Sequence, residues 1–140
     1  MSDTQVSLEK ESMVISPGEG VELEIRYRNH SVIVDQPLDA GGNNRGMTPV
    51  ELFVGSLGAC IGYYAVRFCL RHQLKTEGLQ VFIGWAFEET PHRIGSITVQ
   101  VSLPKDWNPD LNERFQKVLE GCTVHQSIKF EPKIVIDLKK

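Results

Sequence analysis

Residues 48–72 read TPVELFVGSLGACIGYYAVRFCLRH, and this stretch predicts the long helix around which the chain is built. Thr48 has the side chain of an N-cap residue, and Pro49 stands at the first helical position, where its missing N–H costs nothing. Glu51 follows Thr48 by three residues, as a capping box requires. Because apolar and small residues then occur on every side of the helix, we expect it to be buried on most of its faces.

A cysteine, Cys60, lies in the middle of this stretch among small residues. These small neighbours are Gly55, Ser56, Gly58, Ala59 and Gly62. Each glycine inside a helix costs about 1 kcal/mol relative to alanine. We therefore expect a backbone or a ligand to approach the helix closely here. The uncharged run is shorter than the ~20 apolar residues of a membrane span, so the stretch predicts a core helix of a soluble domain.

The composition predicts one cytoplasmic domain over residues 1–140. The chain has 140 residues, enough for a sizeable core, and 41% of them are hydrophobic. A net charge of −3 without a basic block argues against nucleic acid as a partner. Residues 1–10 show no signal or transit pattern. The three cysteines form no closely spaced pairs of the zinc-binding type, which predicts free thiols in a reducing compartment.

The order of the remaining patterns predicts an α+β fold. Alternation of apolar and polar residues indicates strands at 13–15 (with Val6 and Leu8 ahead of them), 21–28, 31–35, 79–87, 97–103 and 133–138. Residues 36–47 form a glycine-rich loop that leads into the long helix, and a second helix begins at Asn108-Pro109 and ends at Gly121. The predicted order is β-β-β, helix, β-β, helix, β.

The long helix also predicts an obligate homodimer. A helix that is apolar on all sides needs more cover than one modest sheet and one short helix provide. A second copy of the chain could supply that cover, with the central helices near the interface.

The spacing of the three thiols limits which of them can meet. Cys69 follows Cys60 by nine residues, which is a rise of ~13.5 Å along a helix, so these two cannot form a disulfide. Cys69 is interpreted as a small core residue. Cys122 lies just past the second helix, and its candidate partner is Cys60. The spacing leaves two outcomes open: a Cys60–Cys122 pair or two buried, unrelated thiols.

Two motifs together resemble the OsmC family, which includes osmotically inducible protein C and the organic hydroperoxide resistance proteins. They are Pro49 with Glu51-Leu52 and Leu57-Gly58-Ala59-Cys60, and Cys122-Thr123-Val124-His125 about sixty residues later. The resemblance extends from about Val21 to Leu138. It implies the intertwined α+β homodimer of that family.

The resemblance also implies a thiol-dependent peroxidase of oxidative stress defence. In the peroxidases of the family the helix cysteine attacks the peroxide, so Cys60 would reduce a small organic hydroperoxide and become a sulfenic acid. Cys122 would resolve that sulfenic acid as a disulfide, and an external dithiol would reopen it. The reaction needs neither a metal nor a flavin, so no cofactor is expected.

The groups that would activate Cys60 depart from the family pattern. In the peroxidases an arginine does this, held by a glutamate directly after the helix-opening proline, and that position is Val50 here. Glu51 comes one place later and is interpreted first as the capping-box acid and second as a catalytic carboxylate. Arg45 is the candidate cation, whereas Arg26 and Arg28 are assigned to a solvated sheet face. The departure favours a less characterised branch of the family.

Two alternatives to the peroxidase follow from the same residues. The first is a non-catalytic binding or redox-sensing module on the same dimer, suggested by Val50. The second is a metal site at Cys122 and His125. For His125 we prefer a structural role, because the other histidines show no zinc-like spacing.

Overall fold

The computed structural model describes residues 11–140, which form two compact units. The first unit holds the described residues up to Leu52 together with Lys133–Lys140, and the second is Phe53–Pro132. Val6 and Leu8, assigned to an early strand, lie outside the described residues.

The first unit contains a three-stranded antiparallel sheet, as the alternation predicted. Its strands are β1 (Val14–Pro17), β2 (Leu23–Tyr27) and β3 (His30–Val34), in the order β1-β2-β3. Tyr27 pairs with His30 across the hairpin, so the turn lies one residue earlier than expected, at Arg28 and Asn29. Arg28 adopts a φ of 53°, which supplies the left-handed conformation that such short hairpin turns require.

The glycine-rich loop after β3 folds tightly onto its own backbone. A Cβ at Gly42 would overlap the carbonyl oxygen of Gln36, and a Cβ at Gly46 would overlap that of Ile33. Only glycine permits so close an approach at these positions. The loop therefore has a fixed path into the long helix.

The long helix, α1 (Pro49–Arg71), begins where the sequence predicted. The backbone N–H of Thr48 donates to Glu51 Oε1 over 2.8 Å, and the N–H of Glu51 donates to Thr48 Oγ1 over 3.2 Å. These reciprocal bonds form the expected capping box.

Within a single chain, burial of α1 is confined to one face, and the cover expected for its other faces would have to come from a second copy. The buried residues are Val54, Leu57, Ile61, Ala65, Phe68 and Cys69. Elsewhere on the helix apolar side chains are exposed, including Tyr63 at 58% and Leu70 at 67%. The expectation of burial came from composition, and a single copy of the chain covers only one face.

The length of α1 agrees with the predicted helix over residues 48–72. Its 23 residues are long and apolar enough, by length and composition alone, to cross a membrane. This is weak evidence for a membrane span, because the core helix of a soluble protein has the same properties.

The glycines of α1 do not mark an unusually close approach within the described structure. A Cβ at Gly58 would lie 3.6 Å from the side chain of Ile83, and one at Gly62 would lie 3.6 Å from that of Val81. At Gly55 a Cβ would meet no described atom within 4 Å. These are ordinary contact distances, and no backbone of the described residues approaches closely there.

The second unit packs α1 against a hairpin and two further helices. Strands β4 (Gln80–Glu88) and β5 (Arg93–Ser102) pair antiparallel as predicted. The helix α2 (Asn112–Glu120) follows a 3-10 turn and ends at Gly121, also as predicted. A short helix, α3 (Thr123–Lys129), was not foreseen. The shared core consists of Leu57, Ile61, Ala65, Phe68, Phe115, Leu119 and Cys122.

The strand predicted at Lys133–Leu138 is not formed, because in the described structure this segment pairs with no other strand. Its apolar side chains are left in solvent, with Ile136 exposed by 85% and Leu138 by 93%. Alternation in a sequence shows which residues can form a strand, but a strand also needs a neighbour with free backbone groups. Apart from this segment and α3, the predicted α+β order is confirmed.

Candidate thiol site

The second unit brings Cys60 and Cys122 together. Cys60 lies in the middle of α1 and is half-buried, whereas Cys122 is fully buried in the core against which Cys60 packs. The two thiols are neighbours, because Cys60 packs against the core that contains Cys122, and both are free. A partly accessible cysteine on the long helix therefore lies next to a cysteine that solvent does not reach.

The start of α3 holds Cys122 in place. Cys122 is the N-cap residue of this helix, and its Sγ accepts the backbone N–H of His125 over 3.3 Å. The motif Cys-Thr-Val-His therefore has a structural meaning, because the fourth residue supplies the N–H that fixes the sulfur of the first. The signal for α3 is this capping pattern, with sulfur in place of the usual oxygen.

The surroundings of Cys122 favour its neutral form. Burial raises the pKa of the Cys122 thiol, and the adjacent Cys60 raises it further, while the N–H of His125 acts in the opposite direction. Cys122 is therefore held as a thiol at neutral pH. A neutral, buried thiol does not compete for a bulky reagent, and Cys122 must lose its proton before it attacks a neighbouring sulfur that has become electrophilic.

Two hydroxyl groups complete the site, and the sequence did not indicate either of them. Tyr64 stands four residues after Cys60, so it lies on the same face of α1. Its hydroxyl is hydrogen-bonded to Thr123 Oγ1 over 3.2 Å, and either group can donate. The signals that could have found them are the spacing from Cys60 and the position of Thr123 directly after Cys122.

The third thiol, Cys69, is fully buried on α1, and burial raises its pKa. These properties agree with its interpretation as a core residue.

In the first unit Arg45 is held by a buried carboxylate. Its Nη1 donates to Glu22 Oε2 over 2.9 Å and to Glu22 Oε1 over 3.1 Å, and Glu22 is only 5% exposed. The side chain of Arg45 is 57% exposed, so part of it stays accessible. The sequence identified Arg45 but not Glu22, because the two are 23 residues apart and no local pattern links them.

A second buried carboxylate, Asp35, fixes the loop that carries Arg45. It accepts backbone N–H groups from Gln36 at 2.8 Å, Asn43 at 3.1 Å and Arg45 at 3.2 Å. The bond from Gln36 is the largest cause of the lowered pKa of Asp35, so this carboxylate stays ionised. Main chain and side chain of Arg45 are thus both anchored within the first unit.

The other residues named from the sequence have structural partners. The carboxylate of Glu51 closes the capping box, and its predicted catalytic role stays a prediction. Arg26 forms an exposed ion pair with Glu24 at 3.6 Å, in keeping with a solvated sheet face. Over residues 11–140 no group of three or more His, Cys, Asp or Glu side chains is placed to hold a metal ion.

A groove of about 800 Å³ lies beside this core in the second unit. Leu57 and Ile61, which flank Cys60 on α1, contribute to its wall, and most of the other wall residues are apolar. The polar groups include Asn112, Gln116 and His125. An apolar side chain of a small molecule would fit such a surface better than a charged one.

Fold and site together define a class: an α+β protein with a half-buried thiol on its central helix and a buried second thiol beside it. The family model for OsmC-like proteins matches residues 41–137, which is more than half of the chain. The chain therefore belongs to the OsmC-like family, and α1 is the core helix of its fold. The comparison with curated protein sequences gives no match.

Solved structures show the same fold at low sequence identity. An osmotic stress and detoxification response protein of Psychrobacter arcticus is 15% identical with a TM-score of 0.77, over 86% of this chain and 90% of that one. An OsmC-like protein of Mycoplasma pneumoniae is 12% identical with a TM-score of 0.73, over 86% and 88%. The organic hydroperoxide resistance protein OhrB of Bacillus subtilis is 16% identical with a TM-score of 0.59, over 89% and 94%.

Proposed function

We propose that the protein is a thiol-dependent peroxidase that reduces small organic hydroperoxides with Cys60 as nucleophile and Cys122 as resolving thiol. The observation that carries this proposal is the pair of neighbouring thiols, of which Cys60 is half-buried and Cys122 is fully buried. A reagent reaches Cys60 first, and Cys122 is placed to act second. This order is the one that a two-step thiol peroxidase needs.

The chemistry balances without a cofactor. The Cys60 thiolate attacks the terminal oxygen of the hydroperoxide, a sulfur–oxygen bond forms, the oxygen–oxygen bond breaks, and the alkoxide takes a proton to leave as an alcohol. Cys122 then attacks the sulfenic sulfur, and the hydroxyl group leaves as water. An external dithiol restores both thiols by exchange and is itself oxidised. Such a reductant suits a reducing compartment such as the cytoplasm.

The apolar groove supports an organic rather than an inorganic peroxide as the substrate. Leu57 and Ile61, which flank Cys60 on α1, form part of the groove wall, although Cys60 itself is not one of the wall residues. Burial of an alkyl group there would contribute binding free energy that hydrogen peroxide cannot obtain. The structural neighbour OhrB, an organic hydroperoxide resistance protein, supports the same substrate class.

The decisive experiment is oxidation by one equivalent of cumene hydroperoxide. Intact mass and peptide mapping before and after the addition should show loss of two hydrogens per chain and a cross-linked peptide that contains Cys60 and Cys122. One alcohol should be released per disulfide. The proposal would be contradicted if Cys60 stayed unmodified at the end of the incubation, or if the disulfide that formed contained Cys69 instead.

Arg45 is proposed as the cation that stabilises the Cys60 thiolate, since a thiol in mid-helix gains little from the helix dipole. The ion pair with buried Glu22 supports this role, because it keeps the guanidinium in one place. Arg45→Gln is expected to slow alkylation of Cys60 by iodoacetamide at neutral pH by roughly tenfold, because the thiolate would lose the neighbouring positive charge that stabilises it.

Two matched variants separate Arg45 from the other charged candidates. Arg26→Gln removes an exposed arginine of the same unit and should leave the alkylation rate unchanged. Glu51→Gln keeps a capping-box side chain, so any loss of peroxidase activity there would support the second, catalytic interpretation of Glu51. An unaltered rate in Arg45→Gln would remove Arg45 from the mechanism.

A homodimer is proposed as the working form. Apolar side chains stay exposed on α1, at the far end of the β4–β5 hairpin and along the carboxyl-terminal segment: Tyr63, Leu70, Trp85, Phe87, Ile134, Ile136 and Leu138. Exposed apolar residues this numerous indicate a protein interface. A second copy exposes the same apolar residues, so the two copies can bury them against each other across a two-fold axis.

The alternative function is a non-catalytic redox-sensing or binding module. Val50, where the peroxidases of the family have glutamate, favours it. The rate of Cys60 alkylation discriminates the two functions: a rate no faster than that of a free thiol in solution would favour the module.

A further inference from the structure

The hydrogen bond between Tyr64 and Thr123 links the two elements that carry the thiols. Tyr64 lies one turn beyond Cys60 on α1, and Thr123 is joined by a peptide bond to Cys122. Their hydroxyls are 3.2 Å apart, although the residues are 59 positions apart in the chain. This bond therefore links α3 to α1. It lies one residue from Cys122 on α3 and one helical turn from Cys60 on α1.

The other hydrogen bonds around Cys122 act within α3 or to the end of α2, and on the α1 side Cys122 is held by apolar packing in the core. The N–H of His125 donates to the sulfur, and Ser127 Oγ donates to the carbonyl of Thr123 over 2.8 Å. Both bonds lie inside the short helix.

We propose that the Tyr64–Thr123 hydroxyl pair is a positioning device that holds Cys122 in line for attack on Cys60. In the closing step the Cys122 thiolate forms a bond to the Cys60 sulfur, and the group on Cys60 leaves with the electron pair of the bond that breaks. The rate of such a displacement depends on keeping the three participating atoms aligned. The inference rests on the closing step of the proposed peroxidase, but that step can be measured without a peroxide.

An aromatic disulfide, 5,5′-dithiobis(2-nitrobenzoate), measures the two steps separately. Cys60 attacks the reagent, releases one coloured thiolate and keeps the other as a mixed disulfide. Cys122 then displaces the second coloured thiolate and closes the Cys60–Cys122 disulfide. Stopped-flow absorbance should therefore record two releases per chain, of which only the second reports the attack by Cys122.

Tyr64→Phe and Thr123→Val each remove one hydroxyl and keep the shape of the side chain. Each is expected to slow the second release by roughly three- to tenfold, the effect of one lost hydrogen bond, with the first release unchanged. Thr123→Ser keeps the hydroxyl and should restore the rate. Because both variants break the same bond, the double variant should close no more slowly than either single variant.

Tyr63→Phe is the matched control, since Tyr63 is the adjacent tyrosine and forms no part of the hydroxyl pair. It should close at the wild-type rate. Equal closing rates in wild type, Tyr64→Phe and Thr123→Val would overturn the proposal, as would a wild type that releases only one thiolate. Thr123→Val decides the question if Tyr64→Phe does not fold. Normal closure without any hydroperoxide consumption would refute the peroxidase and leave the positioning role standing.

Discussion

Replacing Cys60 by serine is expected to abolish hydroperoxide consumption, with a loss of at least about a thousandfold. A serine hydroxyl at this position has no general base beside it in the proposed mechanism and is not ionised at neutral pH, so the attacking atom is lost. The measurement is steady-state loss of cumene hydroperoxide in the presence of dithiothreitol. Since sulfur and oxygen differ little in size, the circular dichroism spectrum should not change.

Two control variants assign the loss to the attacking sulfur. Cys69→Ala removes a buried thiol of the same helix and should retain the activity. In Cys122→Ser, Cys60 should still be oxidised once, but the sulfenic acid on Cys60 should persist and react with dimedone. Full activity in Cys60→Ser would refute the proposed peroxidase.

The second large effect is expected at the carboxyl-terminal segment. Ile136 stands between Ile134 and Leu138 in the alternating pattern, and all three are exposed in the single chain. If this segment pairs with a second copy, Ile136→Asp places a carboxylate in the interface. Such a charge should weaken dimerisation by about a hundredfold or more, because an unpaired buried charge costs several kcal/mol.

Sedimentation velocity and light scattering at micromolar concentration provide the readout. Wild type should be a dimer, and Ile136→Asp should dissociate on dilution. Lys139→Gln changes the net charge of the same segment by the same amount and should remain dimeric. A stable wild-type monomer at these concentrations would contradict the dimer, and so would an Ile136→Asp variant that stays fully dimeric.

Two expectations from the sequence are not met within a single chain, and the reason is the same for both. The all-round apolar character of α1 predicted burial on most faces, and the alternation at 133–138 predicted a strand. The structure shows one buried face and no strand. Patterns of apolar residues show which surfaces are stable only when they are buried against another surface. Whether one copy of the chain supplies that other surface depends on how the whole chain folds, which the patterns do not contain.

Local features were determined by the sequence. The start of α1 followed from Thr48, Pro49 and Glu51, because a capping box involves residues three positions apart and needs no tertiary contact. The β4–β5 hairpin followed from a two-residue period. The family resemblance followed from motifs that are readable along the chain, and the match over residues 41–137 confirms it.

The site itself was decided by the tertiary structure. Cys60 meets Cys122, Tyr64 meets Thr123, and Arg45 meets Glu22 only after separate segments pack together. The hydroxyl pair bridges 59 positions and the ion pair 23. Periodicity and capping act over a few residues, so they place each side chain on its own helix, strand or loop. They do not determine which side chain from a distant part of the chain it will meet.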